Sequence, residues 1–435
     1  MNDHRQVHMG NTGNNNSNQE NKSFVQLFKK YFYILLNYFM QCLIIPFNFI
    51  VMKPLNRISH RLPVIIQRIE FKMHTHYLRF YGFPNPEPVN IQAEKIIIFL
   101  PQIGWNNMNQ RPHHLPRAFW KAGWTVIFLT QDIDNDKIIG IKEIKDRFYI
   151  CSRVRMLKNI KNPWIYSQYT MNKYYLKYFR EYKLIYDHVD RLEIQPFYSK
   201  KMDREQKEML KEAKVVMASS SSLQDEILGL RKDTLLIPNA VFPEDFVLND
   251  DMPVPEDLQG ILAQKKFIAG YYGIFSKWKI DYDLLKFLSR QMPDFNFVFI
   301  GPDYDQSRHD FEWSDFSNIY FLGKKDYHVL PLYARHFNVA LLPLIVNDVT
   351  NAISPVKLFE FLAMKLPIVA SPIAECQNFK SVLPARDHNE FMQQIRNALT
   401  LKNDPAHIAL MEKDLSLNTW DYRCEKILER IDEVS

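Results

Sequence analysis

The residues best placed to do chemistry lie between Asn351 and Ser371, in the run NAISPVKLFEFLAMKLPIVAS. Ser354 suits a helix N-cap and Pro355 the first helical position, so the run predicts a helix from there to about Lys365, with Pro367 opening a strand. Unpaired N–H groups and the positive end of the helix dipole at Ile353 to Val356 make an anion site that fits a diphosphate. Lys357, in the first turn, adds a charge. Glu360 is three residues on and shares a face with Lys357, where its carboxylate can accept from neighbouring ribose hydroxyls while phosphates occupy the helix tip. An amphipathic helix with one exposed Lys/Glu pair is the plainer reading of the same residues.

Such a site needs a parallel sheet behind it, and the sequence supplies two. KIIIFLP (Lys95 to Pro101), WTVIFLT (Trp124 to Thr130), KLIYDHV (Lys183 to Val189), KVVMAS (Lys214 to Ser219) and TLLIPNA (Thr234 to Ala240) are short apolar runs of the kind that form buried parallel strands. Helices are predicted between them, one from Pro112 to Gly123 and one after Ser221 and Ser222, with Asp225 completing a capping box on Ser222. A charged, Pro-containing stretch near Asp250 to Glu256 follows. The alternation then restarts with KFIAGYYG, NFVFIG, NIYFLG, VALLPL and LPIVAS. The expected class is α/β with two doubly wound domains, 94–250 and 251–405, and a C-terminal helical segment, 406–435, returning to the first. A ligand is expected in the cleft between them, at the carboxyl ends of the strands.

The balance of the 435 residues is mild, 55 Lys and Arg against 49 Asp and Glu, and 46% are hydrophobic, which excludes wholesale disorder and a uniformly basic nucleic-acid binder. The four cysteines form no zinc-site spacing and no disulfide framework, which fits a reducing compartment. Residues 1–22 read as a disordered polar tail, and 23–93 as an apolar and basic segment. Tyr31 to Met52 carries no charge and is long enough to reach across a hydrocarbon core of about 30 Å. Its polar stripe and Pro46 leave spanning, re-entering and lying in the interface all open. Six Lys/Arg and one acid follow between Lys53 and Arg79. Residues 31–80 are therefore expected to meet an anionic membrane surface, a core helix with a basic neighbour being the alternative.

Further candidates sit at strand and helix ends. Gly273, with Lys277 and Lys279 after it, is a second place for phosphate contacts. Asp187 and His188 end a first-domain strand, where a contact to sugar or acceptor hydroxyl competes with a plain strand-end role. Gln110, Arg111 and His113 open the first long helix and suit an anionic acceptor such as a lipid diphosphate, against a surface cluster. Asp132 and Asp134 spell a DxD motif in a loop, and no metal site is expected.

Pro355, Lys357, Glu360, Phe361, Leu362 and Ala363 match P-x-K-x-x-E-[YF]-L-A and are followed by a Pro-containing strand. Together with Trp105 and Gln110 to Pro112, YDHVD, IPNAVFPEDF, GYYGIFSKWKIDYDLL and NTWDYR, in that order, they resemble the GT-B glycosyltransferases of the GT4 type (group 1) that build bacterial cell-surface polysaccharide. The resemblance covers most of 94–430. It implies a retaining transfer from a nucleoside diphosphate sugar, UDP-sugar first and GDP-sugar second, with no cofactor, to a lipid-linked or polysaccharide acceptor at the cytoplasmic face of the membrane. Glu360, Lys357, His188 and Asp187 would then be catalytic. Gly273, Lys277, Lys279, Ser354, Pro355 and Val356 would hold the donor, with no nucleic acid among the partners. The family's E-x7-E keeps only its second acid, Ala352 standing at the first, and Ala240 follows Asn239 where Gly is usual. A sugar-nucleotide epimerase of the same architecture and a degenerate scaffold subunit are the competing readings.

Overall fold

The computed structural model describes residues 87–194, 198–249 and 252–435; the polar tail, the apolar run Tyr31 to Met52 and the basic stretch to Arg79 lie outside the described residues. The first domain holds β1 (Ile96–Phe99), β2 (Thr125–Leu129), β3 (Ile141–Lys145), β4 (Phe148–Cys151), β5 (Trp164–Ser167), β6 (Lys183–His188), β7 (Val215–Ala218) and β8 (Leu235–Leu236). Their order is β3-β4-β2-β1-β5-β6-β7-β8, and only β3 runs antiparallel. The second holds β9 (Phe267–Tyr272), β10 (Phe295–Ile300), β11 (Ile319–Phe321), β12 (Val339–Leu342), β13 (Ile368–Ala370) and β14 (Val382–Pro384). These are all parallel, in the order β11-β10-β9-β12-β13-β14.

Helices cover both faces, which is why the central strands are apolar at every position rather than at every second one. They are α1 (Arg111–Lys121), α2 (Ile133–Asp136), α3 (Lys173–Leu176), α4 (Lys200–Glu212) and α5 (Ser221–Leu228), then α6 (Glu256–Leu262), α7 (Tyr282–Gln291), α8 (Leu330–Ala334), α9 (Asp348–Asn351), α10 (Val356–Ala363), α11 (His388–Leu401), α12 (Pro405–Ser416) and α13 (Trp420–Val434). Along β1, Ile97 and Phe99 face a core shared with Leu115 and Phe119 of α1 and Trp420 and Ile427 of α13. Ile96 and Ile98 face the other core, with Met209 and Leu210 of α4. Of the C-terminal segment, α13 therefore belongs to the first sheet, while α12 puts Met411 into the core of the second.

The chain crosses between domains twice, and the crossings pair: Val241 N donates to Asn418 O (3.3 Å) and Trp420 N to Val241 O (3.0 Å). The expected strand Thr234 to Ala240 shrinks to Leu235–Leu236 because the chain leaves the sheet edge there to reach this crossing. Helix α5 is capped by Ser220, which accepts from Leu223 N (3.3 Å), and not by Ser222. β3, β4, β5 and β14 were not anticipated. β3, IKEIK, is a charged, largely exposed edge with little apolar signal. At the carboxyl ends of β9 and β10 the backbones touch: a Cβ on Gly301 would lie 1.8 Å from Gly273 O, so only glycine fits. Among the described residues no helix is long and apolar enough to cross a membrane.

Candidate functional site

Helix α10 starts at the carboxyl edge of the second sheet. Ser354 was expected to cap it, but Pro355 occupies the N-cap position and no side chain caps the helix. The Ser354 hydroxyl is used elsewhere. It accepts from Asn239 N (3.1 Å) and donates to Glu375 Oε1 (3.2 Å), while Asn239 Nδ2 donates to Ser354 O (2.7 Å). This ties α10 to the first domain and leaves the first-turn N–H groups from Val356 onward without a side-chain partner.

Lys357 and Glu360 share one face, as i,i+3 spacing requires, with Nζ 3.0 and 3.1 Å from the two carboxylate oxygens. The pair is not solvated: the Glu360 side chain is 1% exposed and that of Lys357 20%. Burial raises the pKa of Glu360, and Lys357 opposes the rise. Tyr272, at the end of β9, lies alongside, its ring centroid 4.9 Å from Lys357 Nζ. Burial pushes its hydroxyl upward, and the neighbouring Glu360 charge pushes it further.

Lys279 comes to the same place from the turn after β9. Its pKa is lowered to about 8, first by burial and then by the charge of Lys357. Lys279 and Lys357 thus feel one another's charge beside an uncapped helix start, with the Glu360 carboxylate buried behind Lys357. Lys277 stands apart: its side chain is 71% exposed and reaches Asp310 (3.3 Å). Its backbone N–H donates to Asp305 Oδ2 (2.9 Å).

The first-domain candidates separate. Asp187 and His188 are neighbours on β6 and so point to opposite faces of the sheet. Asp187 is fully buried and accepts from Arg111 Nε (2.7 Å) and Nη2 (3.1 Å), and from Tyr166 and Gln168. Arg111, expected to meet an anionic acceptor, is therefore one half of a buried fork that locks α1 to β6; a guanidinium removed from water needs such a partner. His113 bonds Gly104 O (3.1 Å) through Nε2 and stacks on Phe128, and its Nδ1 accepts from Gln110 N (3.3 Å), so both residues hold the helix start together. His188 lies 3.2 Å from Gln206 Nε2 and 3.6 Å from Glu226. Glu226 also holds Arg191, which donates to Asp348 O (3.4 Å) of the second domain.

Other residues at the domain boundary carried little sequence signal. His114 packs on Trp420, Phe242 and Tyr327, and burial, with His113, Lys357 and Arg117 acting in the same direction, takes its pKa to about 3. Asp245 receives Arg117 (2.7 Å) and the Tyr327 hydroxyl (3.2 Å). Glu375, beneath Ser354, is pushed up to about 7 by burial, against Ser354 and Arg423. His114 beside His113, and Asp245 within the IPNAVFPEDF run, were the cues in the sequence. Ala352, where the family has its first acid, packs on Ala218 and Leu223 of the first domain, and its carbonyl accepts from Ser220 Oγ (2.7 Å).

Residues 279–401 match the family described as Glycosyl transferases group 1. Over 168 residues the chain is 28% identical to TuaH of Bacillus subtilis (strain 168), which carries the name of a teichuronic acid biosynthesis glycosyltransferase; the match covers 38% of this chain and 41% of that protein. Among solved structures, sucrose-phosphate synthase from Thermosynechococcus elongatus is similar with a TM-score of 0.59 at 16% identity, covering 78% of this chain and 99% of the other. Anabaena HepE in complex with UDP follows at 0.57 and 13%, covering 78% of this chain and all of the other. These structures share the two-domain GT-B fold, and the second domain of this chain is a group 1 glycosyltransferase domain.

Proposed function

We propose that the protein transfers a sugar from a nucleoside diphosphate sugar, with UDP preferred to GDP, to a lipid-linked or polysaccharide acceptor of the cell surface, with retention at the anomeric carbon. It works at the cytoplasmic face of the membrane, which residues 31–80 help it to reach. The observation that carries the reading is Lys357, bonded to buried Glu360 at the open start of α10, with Lys279 near enough to feel its charge. A departing diphosphate gathers negative charge, and fixed cations with an aligned helix dipole stabilise that charge most where water is excluded. Lys357 has two uses: free, it neutralises Glu360; with donor bound, it turns to the phosphates and releases the carboxylate for the ribose hydroxyls. The name of TuaH and the UDP complex of HepE support the choice of product and donor.

The filled position at Ala352 favours the scaffold reading, since an acid that would face the sugar is replaced by an apolar interdomain contact. Calorimetric titration with UDP, GDP and uridine distinguishes the readings. The transferase reading expects UDP to bind tightly and uridine weakly, and Lys279→Met to cost UDP about tenfold or more while leaving uridine unchanged. No nucleotide binding by the wild-type chain would overturn it in favour of the scaffold. Conversion of a UDP-sugar to its epimer without transfer to any acceptor would favour the epimerase.

A further inference from the structure

The basic stretch before Arg79 has a counterpart within the folded body. Residues 1–86 take ten of the 55 Lys and Arg and three of the 49 Asp and Glu, leaving 45 against 46 for the rest. Inside that neutral remainder, residues 153–183 carry eight Lys and Arg and one acid, Glu181. The two halves of this stretch flank the buried strand β5 and meet on one face of the first domain. The Arg155 guanidinium lies 6.0 Å from the Tyr178 ring, and Val154, Tyr175 and Tyr178 pack on the same core. Lys158, Lys161, Lys177 and Arg180 are exposed, and no carboxylate among the described residues pairs with them. Met171 and Tyr174 stand out between them, 37% and 42% exposed.

We propose that this face docks on an anionic lipid bilayer, separately from the 31–80 segment and whether or not the sugar-transfer reading holds. A protein whose remaining charge is balanced approaches an anionic surface only through such a face. Tyr and Met at the same level supply the amphipathic contacts that suit the headgroup zone, while long Lys and Arg stems reach phosphates around them. A single-stranded nucleic acid fits less well, because it needs open ring faces for base stacking. Here Lys177 covers Tyr174 at 3.5 Å and lies 5.3 Å from the centre of Tyr178. The patch also reaches the carboxyl edge of the first sheet, since Arg155 follows β4 and Met171 follows β5. Lys161 and Arg180 precede β5 and β6 at the opposite edge, so the patch runs along the side of the first domain from one sheet edge to the other.

The test is co-sedimentation of the full chain with phosphatidylcholine vesicles, alone or with about one third phosphatidylglycerol. Each cation near an anionic leaflet strengthens partitioning about fivefold, so Lys158→Gln/Lys161→Gln/Lys177→Gln/Arg180→Gln should weaken binding to the anionic vesicles a hundredfold or more. Lys265→Gln/Lys266→Gln/Lys324→Gln/Lys380→Gln removes the same charge from the second domain and should change binding by about threefold or less. An unchanged thermal midpoint shows that each variant folds. Wild-type-like sedimentation of the first variant overturns the proposal, as does equal loss in both. Loss of binding to single-stranded RNA with vesicle binding intact would also overturn it and identify a soluble polyanion as the partner.

Discussion

Replacing Lys357 with alanine removes the one cation among the described residues that is bonded to Glu360, a carboxylate with 1% exposure in the second-domain core. Without that cation the group cannot stay ionised in place, and the cheapest response is to take up a proton. From an ordinary value of 4.5, protonation at pH 7 costs about 3 kcal/mol, and at pH 5 less than about 1 kcal/mol. The folded-state pKa of Glu360 is already raised by burial, and losing Lys357 raises it further. The folded variant therefore holds a proton that the unfolded chain releases. Its stability relative to wild type must fall as pH rises past the wild-type protein's own folded value for Glu360, which already lies above 4.5, by at most about 1.4 kcal/mol per unit. Urea unfolding of both proteins at pH 5, 6 and 7 measures the difference directly. Adding Glu360→Gln to Lys357→Ala removes the ionisable group and should abolish the pH-dependent part of the loss. A loss of equal size at all three pH values, or one that the second substitution leaves intact, would show that Lys357 does not neutralise a buried charge.

Arg111→Ala leaves Asp187 buried without its fork and should destabilise the first domain by about 3 to 5 kcal/mol, with UDP affinity of the surviving folded protein unchanged; denaturant melts and titration calorimetry check both halves. Glu375 has a folded value of about 7 against 4.5 unfolded, so it costs stability progressively as pH rises through that interval and fully above it. Glu375→Gln should therefore gain on wild type by up to about 3 kcal/mol between pH 5 and pH 8, read from urea midpoints across that range.

What could be read from the sequence follows from the range over which each interaction acts. Strands such as IIIF and TVIFL announce themselves because two covered faces require apolar residues at every position. Trp164–Ser167 is no shorter than IIIF but ends on Tyr and Ser, and Ile141–Lys145 carries three charges in five residues, so neither shows the unbroken aliphatic run. Lys357 and Glu360 fell on one face because helical spacing is local. Asp187 and His188 are local too, and the same argument applied to a strand separates them. The partners that decided the rest are remote: Arg111 finds Asp187 76 residues away, and Asn239 takes Ser354 115 residues away. No spacing rule reaches that far. The diverted cap has a chemical consequence, because a Ser354 that capped α10 would have filled the N–H groups that the proposed diphosphate needs. The hydroxyl that the sequence assigned to the helix instead joins the two domains, and by doing so leaves the proposed anion site without a side-chain cap.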